Sequence, residues 1–254
     1  MSPFSILIII VVIILIYLIL RYIFTDKYTL QQLQNGKTTT TINASDLATN
    51  GTNIPASNFS YSVWFYINDW NYRYGEPKVI FGRMGSNSGS SNGSISGITG
   101  VDPCPVVALG AIENNLNIGV SCYPGVGQQP PAGSKSIVHT CTVGNVPIQK
   151  WVNLIITVYG RTLDVYIDGK LVRTCLLPGV ANVSSNSNVY LTPNGGFEGW
   201  TSRLQYYPNS LNPQDAWNIY VKGYGGNSIT SMFGGYQLKV SVEQDGVSQH
   251  SITI

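Results

Sequence analysis

The chain has 254 residues, which is enough for one large β-domain or two small domains. Only 10% of its residues are charged, against about 25% in typical soluble domains, and Asn, Ser, Thr and Gly replace the missing charge. A net charge of +2 and the absence of a basic run give no long-range attraction for nucleic acid, so we expect no nucleic-acid partner.

The first predicted element is a membrane anchor. No charged side chain occurs from Met1 to Leu20, and residues 6–20 have the sequence ILIIIVVIILIYLIL. About twenty helical residues span the ~30 Å hydrocarbon core of a bilayer. The start has no basic side chain and no small-residue cleavage site follows, in contrast to a signal peptide. We therefore predict a single transmembrane helix at residues 1–24, with the lipid bilayer as its partner, and a tether at residues 25–36.

Two features give opposite predictions for the orientation of this single-pass chain. Arg21 and Lys27 flank the C-terminal end of the helix, and the positive-inside rule then places the C-terminal domain on the cytosolic face. Five glycosylation sequons favour the other face: Asn43, Asn50, Asn58, Asn92 and Asn182. Because a chain rich in Asn, Ser and Thr produces sequons by chance, we give the flanking charges more weight.

The rest of the chain, residues 37–254, has the pattern of one β-domain. The segment FSYSVWFYI (59–67) alternates, with Tyr61, Val63 and Phe65 on one face and Trp64 and Tyr66 on the other. TTTTI (38–42) is a predicted edge strand. Further short apolar segments separated by turn residues continue to residue 192, and this spacing is typical of an antiparallel sandwich.

Three other local signals complete the prediction. The Gly/Ser-rich segment 85–100 is a predicted flexible loop. Asn212 followed by Pro213 predicts the start of a helix, with Asn as N-cap and Pro at the first helical position. Asp245-Gly246 predicts the turn of a C-terminal hairpin, because Asp-Gly favours a type I′ turn.

The segment TLDVYIDGKLV (162–172) raises the question of acid–base chemistry. Its two carboxylates, Asp164 and Asp168, lie on the polar face of the predicted strand. Asp168-Gly169 falls where the chain must reverse before the next strand. A hairpin explains the glycine, whereas a catalytic carboxylate pair does not, so we predict a hairpin.

Three blocks in order resemble the concanavalin A-like, laminin-G-like jelly-roll domains. They are FSYSVWFYI (59–67), the hairpin segment QKWVNLIITVYGRTLDVYIDGKLV (149–172), and GGFEGWTSRLQYYPNSLNPQDAWNIYVKG (195–223). The resemblance implies an all-β fold: an antiparallel two-sheet jelly-roll sandwich (concanavalin A-like) with one short helix, here preceded by a single transmembrane helix.

The departures from that family bear on function. Members that hydrolyse glycans carry clustered acids on one strand, but the glutamates here, Glu76, Glu113, Glu198 and Glu243, fall on different segments. Thr201, Ser202 and Arg203 stand where the family often has acidic residues, which weakens any calcium site. We expect no enzyme, no catalytic residues, no cofactor and no metal site.

The four cysteines have no metal-binding spacing. Cys122 and Cys141 fall on neighbouring predicted strands, so a disulfide between them and free buried thiols are both left open.

The candidate binding residues lie in the predicted loop NDWNYRYGEP (68–77). It contains Trp70, Tyr72, Arg73 and Tyr74, residue types that stack on sugars and anchor protein interfaces. The alternative is that they cover one end of the sandwich. The other tryptophans are assigned to packing: Trp64 and Trp151 to the core, and Trp200 and Trp217 to the closing segment.

Two functions follow as expectations. The first is a non-catalytic, membrane-anchored structural or interaction module, namely a minor capsid or virion membrane protein. Its partners would be other structural (capsid) proteins, and it would link an internal membrane to the capsid shell of a large virus. The alternative is a membrane-anchored lectin that binds carbohydrate, and a glycan hydrolase is less favoured.

Overall fold

The computed structural model describes residues 11–12, 14–16, 28–47, 57–84, 102–130 and 135–225, together with the backbone of two C-terminal strands. The chain divides into two compact units, Tyr28–Tyr224 and the pair of segments Met1–Lys27 and Gly225–Ile254.

The first unit consists mainly of antiparallel strands. In chain order they are β1 (Thr29–Gln31), β2 (Gln34–Asn35), β3 (Thr40–Ile42), β4 (Phe59–Asp69), β5 (Lys78–Met84), β6 (Val106–Leu109), β7 (Asn115–Cys122), β8 (Ile137–Gly144), β9 (Trp151–Tyr159), β10 (Thr162–Ile167), β11 (Lys170–Leu176), β12 (Asn188–Leu191) and β13 (Glu198–Tyr207). The helix α1 comprises Pro213–Val221, and two short 3-10 helices comprise Ala44–Leu47 and Pro193–Gly195.

The strands form two sheets that pack face to face. One sheet has seven strands, in the order β1-β13-β4-β9-β10-β11 with β2 also paired to β13, and the other has the order β3-β12-β5-β6-β7-β8. Tyr61, Val63 and Phe65 point into the core between the sheets, as the alternation of β4 predicts, and they meet residues such as Phe81 and Ile118 of the second sheet. The unit is a jelly-roll β-sandwich.

The segment predicted as a tether is corrected by the structure. Within residues 25–36, β1 and β2 pair with β13, with Thr29 opposite Gln205 and Asn35 opposite Trp200. Tyr28 adds a ring contact with Tyr207, at 4.6 Å between centroids. The backbone N–H and C=O groups on the edge of β13 that faces away from β4 need hydrogen-bond partners, and β1 and β2 supply them.

The predicted helix is confirmed, and its cap explains where it begins. Asn212 Oδ1 accepts a hydrogen bond from Asp215 N at 2.9 Å, and Asp215 Oδ2 accepts one from Asn212 N at 3.1 Å, which together form a capping box. Ala216 and Ile219 bury the inner side of α1 against Ile155. The helix therefore covers part of the outer face of the seven-stranded sheet.

The predicted hairpin at Asp168-Gly169 is also confirmed. Both residues have positive φ, 50° and 72°, as a type I′ turn requires. Asp168 Oδ1 accepts from Asn153 N at 2.9 Å, and Asp164 Oδ1 accepts from Thr174 Oγ1 at 2.5 Å. Each carboxylate thus holds neighbouring strands together.

The disulfide joins Cys141 to Cys175, not to Cys122. β7 and β8 do pair as predicted, but Cys122 lies opposite Ile137 and Cys141 opposite Ile118. Four residues along a strand are about 13 Å, beyond the ~7 Å limit between Cα atoms for a disulfide. Cys141 lies instead 6.1 Å from Cys175, measured between Cα atoms.

The second unit is described only in part. β14 (Lys239–Gln244) and β15 (Val247–Thr253) pair antiparallel, as the predicted C-terminal hairpin requires, and the turn residues 245–246 lie outside the described residues. Most of the predicted anchor, residues 1–24, and the Gly/Ser-rich segment 85–100 also lie outside them. The described part of the chain contains no helix that is both long and apolar enough to cross a bilayer.

Candidate functional site

The predicted binding loop between β4 and β5 is held by hydrogen bonds within the domain. Trp70 Nε1 donates to Ile112 O at 3.2 Å, and Tyr72 Oη donates to Gly195 O at 3.1 Å. Arg73 forms an ion pair with Glu76 at 2.7 Å and also donates to the carbonyl of Asn194. These contacts close one end of the sandwich.

Two lysines cover rings of the same loop. Lys78 Nζ lies 4.5 Å from the centroid of the Trp70 ring, and Lys37 Nζ lies 5.0 Å from that of Tyr72. Burial lowers the pKa of Lys78, whereas the hydrogen bond with Glu198 raises that of Lys37. Tyr74, 59% exposed, projects into solvent. The structure thus brings Trp70, Tyr72 and Arg73 into internal contacts, and a partner at Tyr74 stays a prediction.

A second group of aromatic residues lies on the outer face of the seven-stranded sheet. Tyr66 on β4 pairs in register with Trp151 on β9 and with Trp200 on β13. Residues that are directly opposite in antiparallel strands point to the same face, so the three rings form a row across three neighbouring strands. We call Tyr66, Trp151, Trp200 and the adjacent Tyr224 the aromatic strip.

Tyr224, just after α1, extends the row. Its ring stacks on Trp151 with 4.5 Å between centroids and 7° between planes. Trp64 lies next to it, buried beneath Tyr220 with centroids 5.7 Å apart.

These positions correct the assignment of Trp64 and Trp151 to the core between the sheets, and they leave Trp200 and Trp217 only partly packed. Trp64 is buried on the outer face, beneath the segment that contains α1, rather than between the sheets. Trp151 is half-buried on the same face. Trp200 is 44% exposed and Trp217 43%. The alternation of β4 already put Trp64 and Tyr66 on the same face, but only strand register shows that Trp151 and Trp200 flank Tyr66.

Buried polar contacts hold the turn after α1 onto the sheet. Arg203 has φ of 47° at an irregularity of β13, and its Nη1 atom donates to Gly223 O at 2.8 Å. Ser202 Oγ donates to Tyr224 O at 2.7 Å. A guanidinium at the C-terminal end of a helix also interacts favourably with the helix dipole. Tyr224 is therefore fixed against Trp151.

Polar side chains border the strip. Asn68, two residues after Tyr66 on the same strand, is exposed. Lys150 precedes Trp151 and pairs with Asp168 at 3.3 Å, and Glu198 near Trp200 pairs with Lys37. The arrangement offers flat apolar rings next to hydrogen-bonding groups.

In the described residues, no three His, Cys, Asp or Glu side chains are grouped so that they could hold a metal ion.

No protein-family profile matches the sequence, and no curated protein matches it. Solved structures with some similarity include the binding domain of botulinum neurotoxin serotype D/C (16% identity, TM-score 0.45, 65% of this chain and 36% of that chain). Two others are the serotype D ligand binding domain in complex with N-acetylneuraminic acid (13%, 0.47, 77% and 49%) and the serotype D binding domain (13%, 0.49, 79% and 55%). The chain therefore spans about a third to just over half of these proteins, and similarity at this level carries no inference about what it binds.

Proposed function

We propose that this chain is a non-catalytic, membrane-anchored lectin that binds a neutral carbohydrate on the aromatic strip. The observation that carries the proposal is the row formed by Trp200, Tyr66 and Trp151 across three strands. Residues 1–24 would hold the domain at the bilayer, and the sandwich would be of the concanavalin A and laminin G type that its three sequence blocks resemble.

The chemistry of the strip suits a sugar. The C–H face of a pyranose ring packs on an aromatic face, and its hydroxyl groups need hydrogen-bonding partners. The strip supplies rings that the strands hold in place, so little side-chain entropy is lost on binding. Asn68 and the Lys150–Asp168 pair supply polar groups at its border. A neutral ligand also matches a chain with few charges.

The non-catalytic part of the proposal is supported by the positions of the carboxylates. Asp164 and Asp168 hold strands together in the hairpin. Glu76 pairs with Arg73 and Glu198 with Lys37. Each of these groups has a structural contact, and we propose neither a cofactor nor a metal for the site.

A second candidate is the structural module that links a viral membrane to a capsid shell. The observation that favours it is exposed apolar surface beside α1. Leu171 and Val172, on the edge strand β11, are 52% and 47% exposed, and Trp217 on α1 lies beside the β10–β11 turn at Gly169. Apolar and aromatic residues at a sheet edge are typical of protein interfaces.

Glycan binding by the full-length chain in lipid nanodiscs tests the proposal. Immobilised neutral oligosaccharides and polysaccharides are screened first, and the dissociation constant of the best ligand is then measured. We expect Trp200→Ala to weaken binding at least about tenfold, or ~1.4 kcal/mol. Tyr159→Ala is the matched control, because Tyr159 is 66% exposed at the far end of β9 and lies outside the strip. It should leave the affinity unchanged.

Two results would overturn the proposal that the chain is a lectin. One is the absence of binding to any neutral glycan, and the other is an equal loss of affinity in both variants. Site-specific photo-crosslinking from position 172 to a capsid protein in purified particles, without glycan binding, would support the structural module instead.

A further inference from the structure

The disulfide joins the two sheets of the sandwich. Cys141 lies on β8, the last strand of one sheet, and Cys175 on β11, the last strand of the other. The bond therefore ties the two sheets together at one open edge, between residues 34 positions apart in sequence.

The other two cysteines are kept apart from this bond. Cys104 and Cys122 are free and buried, 2% and 0% exposed, and their thiols contact the carbonyls of Ser121 and Val120. Burial raises the pKa of both thiols, that of Cys122 to about 11, so neither is a reactive thiolate at neutral pH. The fold thus brings Cys141 and Cys175 together at its edge, and it buries the thiols of Cys104 and Cys122.

The asparagine side chains of the sequons differ in how exposed they are in the folded chain. Asn43 is exposed in the turn between β3 and the 3-10 helix Ala44–Leu47, where Ser45 completes the sequon. Asn58 is half-buried, and its side-chain oxygen accepts from Gly160 N at 2.9 Å.

Asn182 is constrained at the reactive atom itself. Its Nδ2 atom, to which a glycan would attach, donates to Ser136 Oγ at 2.6 Å, and the residue is half-buried. Among the described sequons, Asn43 is therefore the exposed one, whereas Asn58 is half-buried and a glycan on Asn182 would cost a native hydrogen bond.

We propose that the sandwich matures in an oxidising compartment of the secretory pathway, where Cys141 and Cys175 are joined and Asn43 receives an N-linked glycan. Structural disulfides persist in such compartments and are rare in the cytosol. N-glycosylation of Asn-X-Ser/Thr adds a bulky surface group, which an exposed turn accommodates. This inference does not rest on the proposed ligand. The proposal places the domain on the face of the membrane opposite to the one predicted from Arg21 and Lys27. The disulfide and the accessible sequon are two independent observations that favour this face, and we give them more weight than the two flanking charges.

The secretory compartment supplies the second reactant for each of the two covalent steps. The two thiols lose two protons and two electrons to a disulfide-bearing oxidoreductase, which becomes a dithiol. At Asn43, Nδ2 bonds to the anomeric carbon of a lipid-diphosphate-linked oligosaccharide and loses a proton. The bond from that carbon to the lipid diphosphate breaks.

The experiment uses the full chain expressed in animal cells. The protein is denatured in a maleimide reagent with and without prior phosphine reduction, and each cysteine is followed by mass spectrometry. Without reduction we expect label on Cys104 and Cys122, which serve as internal controls, and none on Cys141 and Cys175. After reduction all four should be labelled.

The glycan is mapped in the same sample by N-glycosidase treatment in ¹⁸O-water. We expect the mass shift at Asn43 and none at Asn58 or Asn182. Asn43→Gln and Ser45→Ala should each remove that glycan. Label on Cys141 and Cys175 before reduction, or an unmodified Asn43 in wild-type protein, would overturn the proposal.

Discussion

At the residue scale, Lys78 is a charged side chain buried near one end of the sandwich. Its side chain is 1% exposed and its Nζ atom makes no hydrogen bond with the described residues, although it lies over the Trp70 ring. Burial lowers the pKa of Lys78, and the Arg73 guanidinium lowers it further, while Asp69 and Glu76 partly offset both. A buried cation without a hydrogen-bonded partner destabilises the fold.

We expect Lys78→Met to raise the free energy of unfolding by about 1 kcal/mol at pH 7. Because the folded pKa lies below the ordinary value of 10.5, the cost of the charge is present in full at pH values below the folded pKa. It falls as pH rises from the folded pKa towards 10.5, so the advantage of the variant should shrink there. Urea unfolding at several pH values, followed by tryptophan fluorescence, measures this.

Lys150→Met is the control, because Lys150 is exposed and its ion pair with Asp168 is expected to contribute little. A loss of stability in Lys78→Met larger than in this control would mean that the contact of Lys78 with Trp70 outweighs the cost of burial.

At the element scale, the two edge strands β8 and β11 depend on the bond between them. Hydrogen bonds hold each to its own sheet, and the Cys141–Cys175 bond joins the two sheets across the open edge. Most of β11 is exposed, so it buries little apolar surface of its own. The disulfide is therefore a main constraint on this side of the sandwich.

We expect Cys175→Ser to lower the free energy of unfolding by about 2–4 kcal/mol, because a crosslink across this loop length restricts the unfolded chain. Chemical unfolding of wild type and variant, with and without reductant, measures it. Reductant should destabilise wild type by the same amount and leave the variant unchanged. Cys141→Ser should match Cys175→Ser, and the double variant should add nothing. Additive losses would show that the two thiols act separately.

At the scale of the whole molecule, the chain combines a long apolar segment with a domain of low charge. Residues 1–24 contain one charged side chain, Arg21, whereas the described sandwich presents mostly neutral polar groups to solvent. A domain that binds a ligand close to a bilayer gains effective concentration from such an anchor.

We expect the full-length chain to remain in the membrane pellet after alkaline carbonate extraction, with Met1 detected by mass spectrometry, because residues 6–20 match the thickness of the hydrocarbon core. A variant with Ile10 and Leu15 changed to Lys should pass to the supernatant, since each charge in the bilayer is costly. A wild-type chain that begins near Tyr28, or that is extracted by carbonate, would contradict the anchor.

The sequence by itself determined the features that depend on neighbouring residues. The alternation of β4, the turn at Asp168-Gly169 and the cap at Asn212 follow from side-chain period, positive φ and local hydrogen bonding. Each lies within a few residues, so the sequence is sufficient to predict it. The two-sheet sandwich could also be predicted, because it follows from many such short strands.

Only the tertiary structure decided the disulfide, the role of β1 and β2, and the aromatic strip. Cys175 meets Cys141 because β8 and β11 end their sheets on the same side. Trp200 flanks Tyr66 because β13 lies between β1 and β4. Sheet order and register arise from contacts between segments far apart in the chain, and a shift of one residue would turn each of these side chains to the other face.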